Sequence, residues 1–134
     1  MSTRRVCDAS AVVALLLDAG PEGRWAAQTL ADADLAAPTL VLFEVANIIR
    51  RHELAGFISA DQAVQAHTDL VDLTVEPWPY EVLARRAWEL RRNLTIYDAS
   101  CVACAELCET TLVTLDRVIA GAPGVRCPIA TPPS

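Results

Sequence analysis

The 134-residue sequence contains no lysine; its 11 basic residues are all arginine. That absence removes several α/β enzymes that gather acids at a sheet edge. Receiver domains and haloacid-dehalogenase-type phosphotransferases usually need an active-site lysine, and a P-loop needs Gly-x-x-x-x-Gly-Lys-Ser/Thr. Histidine is nearly absent too, with only His52 and His67, neither beside a serine or cysteine nucleophile motif. Ser10 does not lie in a Gly-x-Ser-x-Gly elbow, so covalent catalysis is not expected. No Gly-x-Gly-x-x-Gly loop occurs, which argues against a small nucleotide-binding α/β domain. No apolar run approaches membrane-spanning length: Ala11 to Leu17 is short and fenced by Asp8 and Asp18. The five cysteines form no disulfide-like spacing, so a reducing compartment is expected and the cytoplasm is the predicted location.

What is present describes one globular domain. Hydrophobic residues make up 53% and charged residues 21%, enough for a real core in a chain of this length. The net charge of -6 argues against a protein coated in positive potential. It leaves room for a local arginine patch, because phosphate contacts act over short range at cellular salt.

Strand-like and helix-like stretches alternate along the chain, predicting an α/β fold with a mainly parallel central sheet flanked by helices. Strands are expected at Arg4 to Cys7, Leu35 to Ala37, Leu73 to Glu76, Thr111 to Thr114 and near Val125 to Cys127. Helices are expected over Ser10 to Asp18, Glu22 to Ala33, Thr39 to Ala55, Ser59 to about Asp72, Tyr80 to Arg92 and Asp98 to about Cys108, followed by a short one ended by Gly121. Residues 1–129 form the expected domain and 130–134 a loose tail. The Thr39 to Ala55 helix is apolar nearly all round, which predicts burial on most sides.

The tripeptide Asp-Ala-Ser occurs twice, at Asp8 to Ser10 after the first strand and at Asp98 to Ser100. In an open α/β sheet, side chains at strand C-termini and at the first turns of the next helices converge on one crevice. Asp116, just after the fourth strand, is placed for the same spot. Asp8, Asp98 and Asp116 each have a plain alternative as helix caps or first-turn acids. Glu44 has none: a glutamate among apolar neighbours in mid-helix must be paired, ligated or facing a cavity. Carboxylates meeting in one crevice repel one another unless a divalent cation neutralises them. Cys101, Cys104 and Cys108 fall on one helical stripe and read as core packing, not as a redox or zinc motif.

Val6-Cys7-Asp8-Ala9-Ser10, Pro38 leading to Phe43-Glu44-Val45-Ala46-Asn47, Ile96-Tyr97-Asp98-Ala99 and Leu112-Val113-Thr114-Leu115-Asp116-Arg117 together resemble the PIN domain. The small single-domain form is similar to the VapC-type toxins of bacterial toxin–antitoxin pairs, over about Arg5 to Ile129. The resemblance implies an endoribonuclease dependent on Mg²⁺, with Mn²⁺ as a substitute, that cleaves structured RNA such as tRNA or rRNA with metal-activated water. Asp8, Glu44, Asp98 and Asp116 would be its catalytic and metal-holding acids, with Ser10 and Thr114 as supporting hydroxyls. The chain departs from the family at Leu115, where a small residue is more usual. The resemblance further implies a VapB-type antitoxin partner and a homodimer. The alternative is a catalytically silent PIN-like module that binds RNA or protein.

Overall fold

Val6 and Cys7 are wholly buried at the end of the first strand, β1 (Thr3–Cys7), which lies at the centre of the sheet. The computed structural model describes residues 3–134. After β1 come α1 (Ala9–Leu17), α2 (Pro21–Leu30), β2 (Ala33–Pro38), α3 (Thr39–Leu54), α4 (Ala60–Asp72) and β3 (Val75–Trp78). The chain continues through α5 (Tyr80–Glu89), α6 (Ile96–Leu107), β4 (Leu112–Val113), α7 (Arg117–Gly121) and β5 (Ile129–Ala130). The five strands are ordered β3-β2-β1-β4-β5, and every neighbouring pair is parallel. Parallel neighbours need crossovers, and the helices supply them. The α/β expectation therefore holds.

The order has a direct consequence. The sheet grows outward from β1 to β2 to β3, then returns to the other side of β1 for β4 and β5. The winding direction reverses between β1 and β4, and that reversal opens a crevice beyond their C-terminal ends.

Several elements differ from expectation for local reasons. Helix α2 stops at Leu30, because Asp32 adopts a left-handed backbone with φ 58 and turns the chain into β2. Strand β3 lies later than expected and includes Pro77; it forms one edge of the sheet, where a missing N–H is tolerated. Helix α5 ends at Glu89, so Arg85 and Arg86 lie within it while Arg91 and Arg92, expected in the same helix, fall beyond its end. The last strand falls at Ile129–Ala130 and not near Val125 to Cys127, and the Thr114 amide donates to the Ala130 carbonyl. Pairing thus reaches one residue into the segment expected as tail, and Arg117 donates to the Pro132 carbonyl beyond it.

Helix α3 corrects the expectation of burial on most sides. Val41, Val45 and Ile49, four residues apart, are its buried stripe, whereas Phe43 is 70% exposed and Leu40 also faces out. Among the described residues no helix is long and apolar enough to cross a membrane.

Candidate active site

The register of the two central strands builds the heart of the site. Cys7 pairs with Val113, so the next residues, Asp8 and Thr114, leave β1 and β4 side by side at the crevice. The Asp8 amide donates to the Val113 carbonyl at 3.3 Å, continuing the ladder by one rung. Asp8 is only 5% exposed and Thr114 is fully buried.

Both carboxylate oxygens of Asp8 are engaged. Thr114 Oγ1 donates to Oδ2 at 2.5 Å, and Ser10 Oγ donates to Oδ1 at 2.7 Å. The Ala11 amide also donates to Oδ1, at 3.1 Å, so Asp8 caps α1 as well. Capping and a functional role are therefore compatible at Asp8. Each hydroxyl also accepts a backbone N–H: Ser10 from Leu115 and Thr114 from Asp116, both at 2.9 Å. Each hydroxyl has one proton, already spent on Asp8, so the 3.3 Å approach of Ser10 to Thr114 is a packing contact. The Leu115 amide is a participant that sequence reasoning passed over, since a backbone group leaves no side-chain signal.

Asp116 is the N-cap of α7, its Oδ1 accepting the Val118 amide at 2.9 Å. Asp98 stands at the third position of α6, where the Thr95 hydroxyl accepts its amide at 3.2 Å. Glu44 is half-buried on α3.

Asp8, Glu44 and Asp98 each feel the charge of other acids in the set. Burial pushes the Asp8 carboxyl above the usual aspartate range; the bonds from Thr114, Ser10 and Ala11 oppose this, and the charge of Asp116 adds to it. Glu44 is raised by burial and then by the charges of Asp98 and Asp8. Asp98 is raised by burial and then by Asp116 and Asp8, with the Thr95 hydroxyl pulling the other way. Among the described residues no arginine or histidine forms an ion pair with any of the four. The crevice therefore holds negative charge without an internal counter-charge.

An all-oxygen donor set of this kind fits a hard divalent cation by its chemistry. It is not a finished cage: among the described residues, no three histidine, cysteine, aspartate or glutamate side chains stand close enough to grip an ion as they are. The donors match an ion that keeps several waters and needs few protein ligands.

The remaining candidates lie elsewhere. Cys7, Cys101 and Cys104 are buried, Cys108 and Cys127 half-buried, and all five are free thiols. Burial pushes the Cys7 thiol up to about 12 and Cys127 up to about 11, so neither is an activated nucleophile. Arg86 is committed to Glu106, with bonds at 2.6 and 3.3 Å, and to the Gly124 carbonyl at 2.6 Å. Arg91 lies 4.6 Å from the centre of the Trp88 ring. Sequence reasoning also passed over Trp78, Tyr80 and Tyr97, which line a cavity that includes Glu44. Their signal was the aromatic residue directly preceding Asp98 and the Trp-Pro-Tyr run that closes β3 and opens α5.

Comparison with known proteins agrees with this architecture. The chain is 38% identical over 128 residues to the VapC ribonuclease Mb0985 of Mycobacterium bovis, covering 96% of this chain and 98% of the relative. It resembles the crystal structure of PAE2754 from Pyrobaculum aerophilum with a TM-score of 0.66 and 27% identity, over 95% of this chain and 83% of that one. A chain from a toxin-antitoxin complex of Klebsiella pneumoniae has the same fold, with a TM-score of 0.66 at 22% identity, over 97% of this chain and 98% of that one. Residues 5–124 match the PIN domain, and with the parallel sheet and its acid-lined reversal point this chain belongs to the PIN-domain family.

Proposed function

We propose that this protein is a metal-dependent endoribonuclease toxin, restrained by a VapB-type antitoxin. The observation that carries the reading is the uncompensated set of Asp8, Glu44, Asp98 and Asp116 at the reversal point, three of them with raised pKa values. The 38% identity to a VapC ribonuclease over nearly the whole chain supports the activity. The four carboxylates would hold the cation, Mg²⁺ with Mn²⁺ as a substitute. When bound, that ion supplies Lewis-acid polarisation of the phosphate and a lowered pKa for attacking water.

The chain's own residues do the rest. Ser10 and Thr114 fix the orientation of Asp8, so its unused lone pairs point the same way in every molecule. Glu44 and Asp98, partly open to the crevice, accept or release protons at their carboxyl oxygens. In-line attack of water on the RNA phosphodiester would leave a 5′-phosphate and a 3′-hydroxyl. No histidine or covalent intermediate is required.

The antitoxin reading rests on exposed apolar surface. A groove of about 530 Å³, lined by Val13, Leu17, Ile48, Phe57 and Leu115, runs up to Ser10 at the edge of the acids. An apolar antitoxin helix laid there, followed by an arginine, would pair with the carboxylates and compete with the cation. Self-association through a separate face would give a homodimer. Changing the antitoxin arginine to alanine should weaken inhibition; unchanged binding and inhibition would rule out plugging of the crevice.

The experiment for the activity is metal titration with a panel of purified transfer and ribosomal RNAs beside Asp8→Asn, which keeps a good helix cap. Cleavage that needs the divalent ion and disappears in the variant supports the proposal. No cleavage of any RNA would favour a silent PIN-like binding module.

A further inference from the structure

A second cavity shares none of the residues of that groove. It has a volume of about 240 Å³ and is lined by Leu40, Glu44, Trp78, Tyr80, Ile96 and Tyr97 among others. Its position follows from the topology. Trp78 ends β3 and pairs in register with Pro38 at the end of β2, Tyr80 opens α5, and Tyr97 lies in the first turn of α6 beside Asp98. The aromatic side chains thus stand at the same C-terminal sheet edge as the acids, and Glu44 belongs to both places.

We propose that this cavity receives one unpaired nucleobase of the RNA next to the cleaved phosphate and sets which nucleotide is preferred there. The inference rests on the ribonuclease reading and names the substrate feature read by that site. The cavity suits a single flat base and is too small for a helix of paired bases. Splayed-out bases in RNA are held by stacking on aromatic rings and by hydrogen bonds to their edges. Tyr97 and Tyr80 are 58% and 47% exposed and offer such rings at the rim.

The Glu44 carboxylate selects the occupant further. An aliphatic side chain from a protein partner would cover Glu44 without pairing it, at a desolvation cost. A base edge carrying N–H groups pairs with it instead, and a carboxylate has acceptor sites enough for a base and a cation together. Trp78 adds an independent observation: its indole nitrogen is buried with no hydrogen-bond partner among the described residues. Native folds seldom leave such a donor orphaned. It is sealed from solvent, and on this proposal the entering base shifts the ring and offers it an acceptor. The occupant that satisfies both walls is a base with N–H donors on one edge and an acceptor on another.

The test has a cleavage arm and a binding arm. In the first, cut sites are mapped on a random single-stranded RNA pool for the wild type, Tyr97→Ala, Tyr97→Phe and Trp78→Phe. The wild type should prefer particular bases at one position beside the cut. Tyr97→Ala should flatten that preference and raise KM about ten-fold, the scale of one lost stacking contact, with a smaller effect on kcat. Tyr97→Phe should retain both, and Trp78→Phe should weaken the preference alone. In the second arm, labelled oligo(A), oligo(C) and oligo(U) are titrated against Asp8→Asn with Mg²⁺, each beside its abasic counterpart. Base-dependent affinity that vanishes when Tyr97→Ala is added supports the pocket even if no cleavable RNA is found, which would count only against the ribonuclease reading. Cleavage with preference and KM unchanged in Tyr97→Ala and Trp78→Phe overturns the pocket and leaves the ribonuclease standing. If Tyr97→Ala alters only self-association or antitoxin affinity, the cavity docks protein and the nucleobase assignment is wrong.

Discussion

Thr114 donates its hydroxyl proton to the Asp8 carboxylate across 106 positions of sequence, and both residues are buried. The bond joins the ends of two adjacent central strands, so its loss is felt by the fold and by the acid together. Thr114→Val keeps the shape and removes the donor. Hydrogen bonds to charged groups are worth about 1.5–3 kcal/mol, and the variant should lose roughly that much stability in urea unfolding. Thr114→Ser should recover most of it. A Thr114→Val protein as stable as the wild type would mean that Ser10 and the Ala11 amide suffice.

The raised carboxyls make stability depend on pH with a definite sign. Asp8, Glu44 and Asp98 titrate above their ordinary values of 3.8 for aspartate and 4.5 for glutamate when the chain is folded. The folded state therefore holds more protons than the unfolded one, and the difference favours folding only at low pH. Their contribution is fully present below the ordinary values and is lost as pH climbs through the raised ones. Glu106 acts oppositely: burial would raise it, but the Arg86 bond and the Arg126 amide overcome this and hold it low. Metal-stripped protein should show a melting temperature that declines as pH rises from about 4 through the raised carboxyl range. Asp98→Asn should flatten the decline, and Mg²⁺ should restore stability at the upper end. A melting curve independent of pH and of metal would contradict the coupling.

Glu44 is expected to be held for function at a cost in stability. A half-buried ionised carboxylate facing the charges of Asp98 and Asp8 is costly unless compensated. Glu44→Gln in chelator should melt at the wild-type temperature or above, while RNA cleavage is abolished. A large drop in melting temperature would indicate that the carboxylate supports the fold.

Arg86 should matter for stability and not for RNA. Its guanidinium holds Glu106 and the Gly124 carbonyl, tying α5, α6 and the approach to β5 together. Arg86→Met should cost about 1–3 kcal/mol in urea unfolding through the lost charged hydrogen bonds. The KM for RNA should stay unchanged; a raised KM would place Arg86 on the RNA surface.

The parts of this architecture legible in sequence were those with local signatures. Ser59 and Gln62 form the reciprocal capping box that their spacing predicts. Asp8 was visible as the acid closing a strand ahead of an apolar helix. The partnership of Ser10 and Thr114 with Asp8 came from the family resemblance, and its geometry emerges only from the β1–β4 register. Strand β5 was misplaced because two residues carry little periodicity, and prolines on either side made the segment read as tail. The exposure of Phe43 was hidden because an apolar side chain reads the same whether it meets its own core or another molecule. The cavity at Trp78 was missed because its walls come from three crossovers far apart in the chain.

The position of β4 bears on the birth of the protein. As the chain leaves the ribosome, β1, β2 and β3 with their helices emerge first, while the strand that completes β1 and delivers Thr114 and Asp116 comes near the end. Until then one side of β1 is an unpaired edge, a template for aggregation, and Asp8 lacks its buried hydroxyl donor. A prematurely terminated product ending before Leu112 would lack Thr114 and Asp116 and would be sticky as well. Completion of the four-acid crevice is thus deferred to the close of translation, and the acid that β4 delivers cannot act before the rest of the fold is in place.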